Sequence, residues 1–268
     1  MMKSLISALF FGLLAVPATA QAQSGAPVTG EILTGWQQAD GTRVAAIKLT
    51  LAPGWKTYWR SPGDNGIPPH FDWSGSSNLG GVGITWPAPS VFRTGGVRTI
   101  GYANELILPI TIAPRSSGKP VTLHADLDIG VCSDICVPQQ LSLRATLDTT
   151  SRNPTPAIAA ALAARAYSAS EAGVKSATCS LRPTANGLEI ETRLNVPSAG
   201  GREVVVIEPG QPNMWMSETD SSRNGRHLTA IGDLSSTNGG ALAIDRSAIL
   251  ITVLGEKHAV EIQGCTPG

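Results

Sequence analysis

The stretch Ile129-Gly130-Val131-Cys132-Ser133-Asp134-Ile135-Cys136-Val137-Pro138 reads as strand, turn, strand. An alternating apolar run over 121–129 leads in, a second over 140–147 leads out, and Ser133-Asp134-Ile135 is the turn between them. Working outward, the pattern repeats on both sides. Strand signals fall at 82–86 and 105–112. Residues 30–51 read as two further strands around Asp40-Gly41, a strong turn signal. Short β-branched runs punctuated by many turns, with 29 glycines and 19 prolines in the chain, predict an all-β sandwich. Between these strands lies an aromatic, turn-rich stretch from residue 54 to 73, holding Trp55, Tyr58, Trp59 and Trp73. Trp86-Pro87-Ala88-Pro89 and the glycine-rich 92–101 segment read as a long surface loop.

Near residue 150 the character changes. Asn153-Pro154-Thr155-Pro156 is a breaker cluster, and 157–166 is alanine-rich. The expectation is a linker helix packed on one side through Ile158, Leu162 and Tyr167. Strand periodicity resumes at 179–181, 188–194, 203–208, 227–231, 242–245, 249–254 and 259–262, with Asn186-Gly187 marking a tight hairpin. The fold class expected is all-β: two β-sandwich domains joined by a short helical linker.

The N-terminus carries Lys3, an apolar run over 5–16, and small residues in Ala18-Thr19-Ala20, with Ala20-Gln21-Ala22 a second cleavage choice. That order is the order of a secretory signal. The run falls short of the ~20 apolar residues of a spanning helix, which favours cleavage over anchoring. The division expected is a signal peptide over 1–22, a first domain over 23–150, a linker over 151–176 and a second domain over 177–268. A net charge of zero, with both signs interspersed, gives no reason to expect nucleic acid or anionic lipid as a partner.

An exported chain permits disulfides, and there are four cysteines. Closing the loop of about 5 residues between Cys132 and Cys136 stabilises a fold by only ~2 kcal/mol in the chain-entropy model. Pairing Cys179 with Cys265 closes about 87 residues and gives ~4.6 kcal/mol by the same relation. The wide pair therefore reads as a structural staple and the narrow pair as cheap to open. A small ring at a turn is the kind of disulfide that exchanges readily. Against this, Asp134 raises a neighbouring thiol pKa, and no Lys or Arg lies within the motif. Spacing alone leaves an inert hairpin disulfide open as an alternative.

The motif Val131-Cys132-Ser133-Asp134-Ile135-Cys136-Val137-Pro138 resembles the cysteine motif of the periplasmic N-terminal domain of DsbD-type thiol:disulfide interchange proteins, including the related ScsB copper-tolerance branch. Tyr58-Trp59-Arg60-Ser61-Pro62-Gly63-Asp64, Gly66-Ile67-Pro68-Pro69, Trp86-Pro87-Ala88-Pro89 and Ile100-Gly101-Tyr102 are similar to that branch as well. The resemblance covers roughly residues 30–147. It implies an immunoglobulin-like first domain in the periplasm. It also implies a catalytic pair, Cys132 and Cys136, that passes electrons from a membrane-embedded reductant to thioredoxin-like periplasmic proteins, with protein-disulfide reductase activity. Phe92 and Tyr102 become candidate lids over the sulfurs, with Tyr58 and Trp59 as supports. The resemblance calls for no cofactor and no resident metal. Full-length members continue into transmembrane and thioredoxin-like domains, so the expectation here is a standalone station dependent on partners at both ends, with peripheral contact to a membrane protein.

Two other functions fit parts of the sequence. A Cys-x-x-x-Cys pair suits Cu(I), and Met214 and Met216 are candidate thioether ligands, although they fall in the other domain. Zinc has little support, because His70, His124, His227 and His258 are scattered. A passive binding module with two structural disulfides is the remaining alternative. Hydrolase motifs are missing: there is no Gly-x-Ser-x-Gly elbow and no His-Glu-x-x-His run.

Overall fold

Period-two alternation and closely spaced turns yield a chain whose regular structure is almost all β in the computed structural model, which describes residues 25–148, 151–211, 213–240 and 242–268. The expected signal peptide, 1–22, lies outside the described residues. The first sandwich contains β1 (Val28–Gln37), β2 (Arg43–Leu51), β3 (Lys56–Tyr58), β4 (His70–Asp72), β5 (Leu79–Ile84), β6 (Ser90–Thr94), β7 (Val97–Ala103), β8 (Glu105–Pro114), β9 (Val121–Cys132) and β10 (Cys136–Leu147). One sheet runs β1-β2-β8-β5. The other runs β10-β9-β3-β7-β6, with β4 also pairing β9. Side chains alternating inward along β9, from Val121 through Leu123, Ala125, Leu127 and Ile129 to Val131, fill the space between the sheets.

A helix, α1 (Pro156–Ala163), follows. Its proline occupies the first turn, where a missing N–H costs nothing. Ile158 is fully buried against Val44 and Ala46 of β2, with Leu162 beside it. That contact explains why β2 is buried on both faces, since the helix covers the side that a free sandwich would leave to water.

The second sandwich contains β11 (Tyr167–Ser168), β12 (Ser176–Thr184), β13 (Gly187–Asn195), β14 (Val204–Glu208), β15 (Met214–Met216), β16 (Asp220–Asn224), β17 (His227–Ser236), β18 (Leu250–Leu254), β19 (Ala259–Gln263) and β20 (Thr266–Pro267). Its sheets run β11-β19-β18-β14 and β15-β17-β13-β12-β20, with β16 also on β17. The Asn186-Gly187 turn closes the β12–β13 hairpin, as expected.

Several expectations need correction. The 86–101 region is not a long loop. Its second half is the β6–β7 hairpin, turned by Gly95 and Gly96 at φ +59° and +84°, a conformation that suits glycine. Residues 242–245 form no strand; the segment is held instead by side-chain and turn contacts at Asp245. Tyr167 does not anchor the helix. It opens β11, is 45% exposed and lies against His258.

The two sandwiches share an apolar core. A single cluster joins Trp59, Ile100 and Tyr102 of the first to Val204, Leu254 and Ala259 of the second. Around it, Arg60 pairs with Glu208 and Glu261, and Arg98 with Glu218. The helical connection therefore joins bodies that already pack against each other.

Candidate functional site

Cys132 ends β9 and Cys136 begins β10, so the hairpin register makes them direct cross-strand partners, disulfide-bonded with a Cα–Cα distance of 4.1 Å. The turn between them is closed by the Ser133 N–H donating to the Ile135 carbonyl at 3.0 Å. Cys136 and the turn are exposed, and Cys132 is half-buried. Ile135 stands 65% exposed at the tip. The second disulfide, Cys179–Cys265, has a different setting. Cys179 is fully buried in the second core, and the bridge fastens the segment leading into β20 to β12. The first pair presents an exposed sulfur, Cys136, to another protein's thiol, while the second has one sulfur in the core and the other, Cys265, half-buried.

Tyr58 is the residue closest in function to the sulfurs. Its hydroxyl donates to Cys132 Sγ at 2.7 Å and lies 3.3 Å from Cys136 Sγ. The ring is only 6% exposed, and burial raises its pKa, which keeps the hydroxyl a donor. Gly130 makes this approach possible. A Cβ there would stand 2.9 Å from the Tyr58 ring carbons and from Ile67 Cβ. A glycine inside a strand is a sequence signal for close approach of another group. Here it is the tyrosine that carries the site's hydrogen bond.

Lys56 is a basic residue that the linear motif lacks. Its register on β3 places it directly opposite Cys132 on β9, so the two side chains share a face, with Cβ atoms about 5 Å apart. Its ammonium lies 4.7 Å from the centroid of the Phe92 ring. A cation beside Cys132 favours the thiolate that opening of the disulfide would create. Nothing in the local sequence signals this neighbour, because residues 56 and 132 meet only through the β3–β9 pairing.

The four aromatic candidates separate by strand parity. Tyr58 lies on the cysteine face. Phe92, half-buried, reaches the site through Lys56. Trp59 is 1% exposed and belongs to the shared core, with the Arg60 guanidinium 4.3 Å from its ring. Tyr102, expected as a lid, points to the opposite face of the sheet. It pairs with Thr57 rather than Tyr58, stacks on Trp86 and donates its hydroxyl to the Pro87 carbonyl at 2.8 Å. Its burial raises its pKa far above the usual phenol range.

The candidate metal ligands are not brought together. Met214 and Met216 sit on β15 in the second sandwich, and Met216 packs onto that core. His70 faces Asp128, and His124 contacts Ser142 and Asp126. Among the described residues no group of three or more His, Cys, Asp or Glu is arranged to hold a metal ion. No helix among them is long and apolar enough to cross a membrane.

Residues 28–148 match the family model described as "Thiol:disulfide interchange protein DsbD, N-terminal". Among solved structures, the N-terminal periplasmic domain of ScsB from Proteus mirabilis is similar, with a TM-score of 0.66 at 22% sequence identity. The match covers 90% of this chain and 92% of that one, so the likeness of fold takes in both sandwiches. No curated protein matches the chain in sequence.

Proposed function

We propose, from the premise that residues 28–148 form a DsbD/ScsB-type N-terminal domain of the thiol:disulfide interchange family, that this chain is a periplasmic dithiol relay acting through Cys132 and Cys136. It takes electrons from a membrane-embedded reductant and delivers them to thioredoxin-like proteins. The observation that carries the reading is the asymmetry of the pair: Cys136 is exposed at the sheet end, while Cys132 is half-buried under the Tyr58 hydroxyl and beside Lys56.

That asymmetry assigns the steps. When the relay is charged, a thiolate of the reductant attacks Cys136 Sγ and the Cys132–Cys136 bond breaks. Cys132 leaves as a thiolate, which the Tyr58 hydroxyl and the Lys56 charge stabilise. The reductant's second thiolate then attacks its own sulfur in the mixed disulfide and releases Cys136. Two electrons have moved, the reductant is now a disulfide, and the cysteine pair takes up two protons. Discharge runs the same path backwards: the Cys136 thiolate attacks a partner disulfide, and Cys132 resolves the mixed disulfide. A better leaving group leaves faster, which is the use of a stabilised Cys132 thiolate.

The test is equilibration in glutathione buffers with thiol counting. The proposal expects Cys132–Cys136 to titrate within the range of periplasmic dithiols while Cys179–Cys265 stays oxidised. A chain whose two disulfides both persist under strong reductant while folded is a passive module.

A further inference from the structure

The segment 59–68 connects the cysteine site to the second sandwich. Just before it, at the end of β3, Tyr58 holds the sulfurs. Toward its end, Gly66 lies on the Tyr58 ring, where an added Cβ would be 3.1 Å from Cδ1, and Ile67 covers Gly130. Trp59 and Pro62 are buried, but the segment's backbone bonds to the first sandwich are few. The Trp59 N–H donates to the Ile100 carbonyl and the Ile100 N–H to the Pro62 carbonyl, each at 3.0 Å. Among the described residues, the only further backbone bond from 63 to 69 is internal, from the Gly66 N–H to the Gly63 carbonyl.

The second sandwich supplies the rest. The Arg60 guanidinium is forked onto Glu208, with Nε 2.9 Å from Oε1 and Nη2 2.9 Å from Oε2, and Nη2 also reaches Glu261 Oε2 at 2.8 Å. The Glu218 N–H donates to Asp64 Oδ1 at 3.1 Å. Burial disfavours the Arg60 charge, but the bonds and charges of Glu208 and Glu261 more than offset it, leaving its pKa raised. A planar fork on two carboxylates fixes direction as well as distance, which a lysine cannot reproduce.

We infer that Arg60 is a positioning residue for the cysteine pair: through Glu208 and Glu261 the second sandwich fixes the 59–68 segment, and that segment presses Tyr58 against Cys132. The inference rests on the dithiol reading above and gives the second sandwich a part in it. Arg60 touches neither sulfur, so its positioning effect passes through Tyr58.

The experiment measures the pKa of Cys132 from the pH dependence of its alkylation, in the full chain with Cys136→Ser so that a single thiol reports. Tyr58→Phe is expected to raise that pKa by about one unit, the scale of one lost hydrogen bond to a charged acceptor. Glu208→Gln combined with Glu261→Gln is expected to raise it in the same direction by up to that amount, and to give no rise on a Tyr58→Phe background. The sign is diagnostic, because removing two negative charges acts through space to lower a thiol pKa. A fall, no change, or a shift that persists in full without the Tyr58 hydroxyl overturns the inference. If the double substitution fails to fold, Arg60→Lys makes the same decision, with a smaller rise expected and an unchanged value refuting. The readout needs no partner. Failure of the unsubstituted chain to exchange with a thioredoxin-like disulfide would instead overturn the relay reading.

Discussion

Adding one methyl group at Gly130 should damage stability and cysteine chemistry together. The new Cβ would lie 2.9 Å from Tyr58 Cδ2, Tyr58 Cε2 and Ile67 Cβ, while carbon pairs rest at roughly 3.5–4 Å. The neighbours must therefore retreat by about 0.6 Å or more. Tyr58 has little room to do so, since Gly66 closes on the other side of its ring and the residue is 6% exposed. Overpacking of this kind costs about 1–3 kcal/mol. The displacement also lengthens the 2.7 Å contact between the Tyr58 hydroxyl and Cys132 Sγ, which has no slack to lose. In urea, Gly130→Ala should lower the unfolding midpoint at constant m-value by the equivalent of that cost. In the reduced protein, alkylation of Cys132 should shift to higher pH, as it does for Tyr58→Phe. Tyr58→Phe itself keeps the ring and should cost less stability. If Gly130→Ala leaves both the midpoint and the alkylation profile unchanged, the close packing described here does not hold Tyr58 in place.

Three further outcomes follow from other parts of the molecule. Ile158→Ala, which empties the fully buried contact between the helix and β2, should cost about 2–4 kcal/mol in the same urea assay while leaving exchange intact; a loss under 1 kcal/mol would mean that the helix is not seated there. Lys56→Gln should slow alkylation of Cys132 near pH 7 by about two- to fivefold, the scale of one solvent-screened charge, with an unchanged rate counting against a role for Lys56. The hydrogen bond from Arg165, with further bonds from Ser168, lowers the Glu171 pKa from 4.5 to about 2. A depressed carboxylate stabilises the fold above its unfolded pKa and loses that contribution as pH falls from about 4.5 through about 2. Thermal midpoints of Glu171→Gln should accordingly fall less steeply than those of the unsubstituted chain over that window; parallel curves would contradict the pairing.

How much of this was legible in the sequence depended on the range of the interaction. The β9–β10 hairpin and its cysteine pair were readable because strand, turn and strand lie within a few residues. The contrast between the two disulfides rests on loop length in the sequence; in the structure Cys136 is exposed, Cys179 buried, and Cys132 and Cys265 half-buried. The β6–β7 hairpin was hidden because Gly95-Gly96 reads equally as a turn or as loop filler, and only the pairing of Phe92 with Thr99 decides. The face that Tyr102 takes is hidden for a related reason. Its face depends on whether it pairs with Thr57 or Tyr58, and a one-residue difference in register reverses every side chain. Lys56 beside Cys132, and Arg60 between Glu208 and Glu261, join residues far apart in the chain. Strand order, rather than any local pattern, brings those residues together.

The central claim is that Cys136 is the sulfur that meets partner proteins while Cys132 waits behind it. It is tested most directly by trapping. The chain carrying Cys132→Ser and the chain carrying Cys136→Ser are each mixed with a thioredoxin-like protein that retains one activated active-site cysteine, and the mixed disulfide is quantified. The account predicts a stable adduct through Cys136 in the Cys132→Ser chain and at least tenfold less through Cys132 in the other, on the order expected for an exposed against a half-buried thiol. Equal trapping through both cysteines, or none through either, would contradict it.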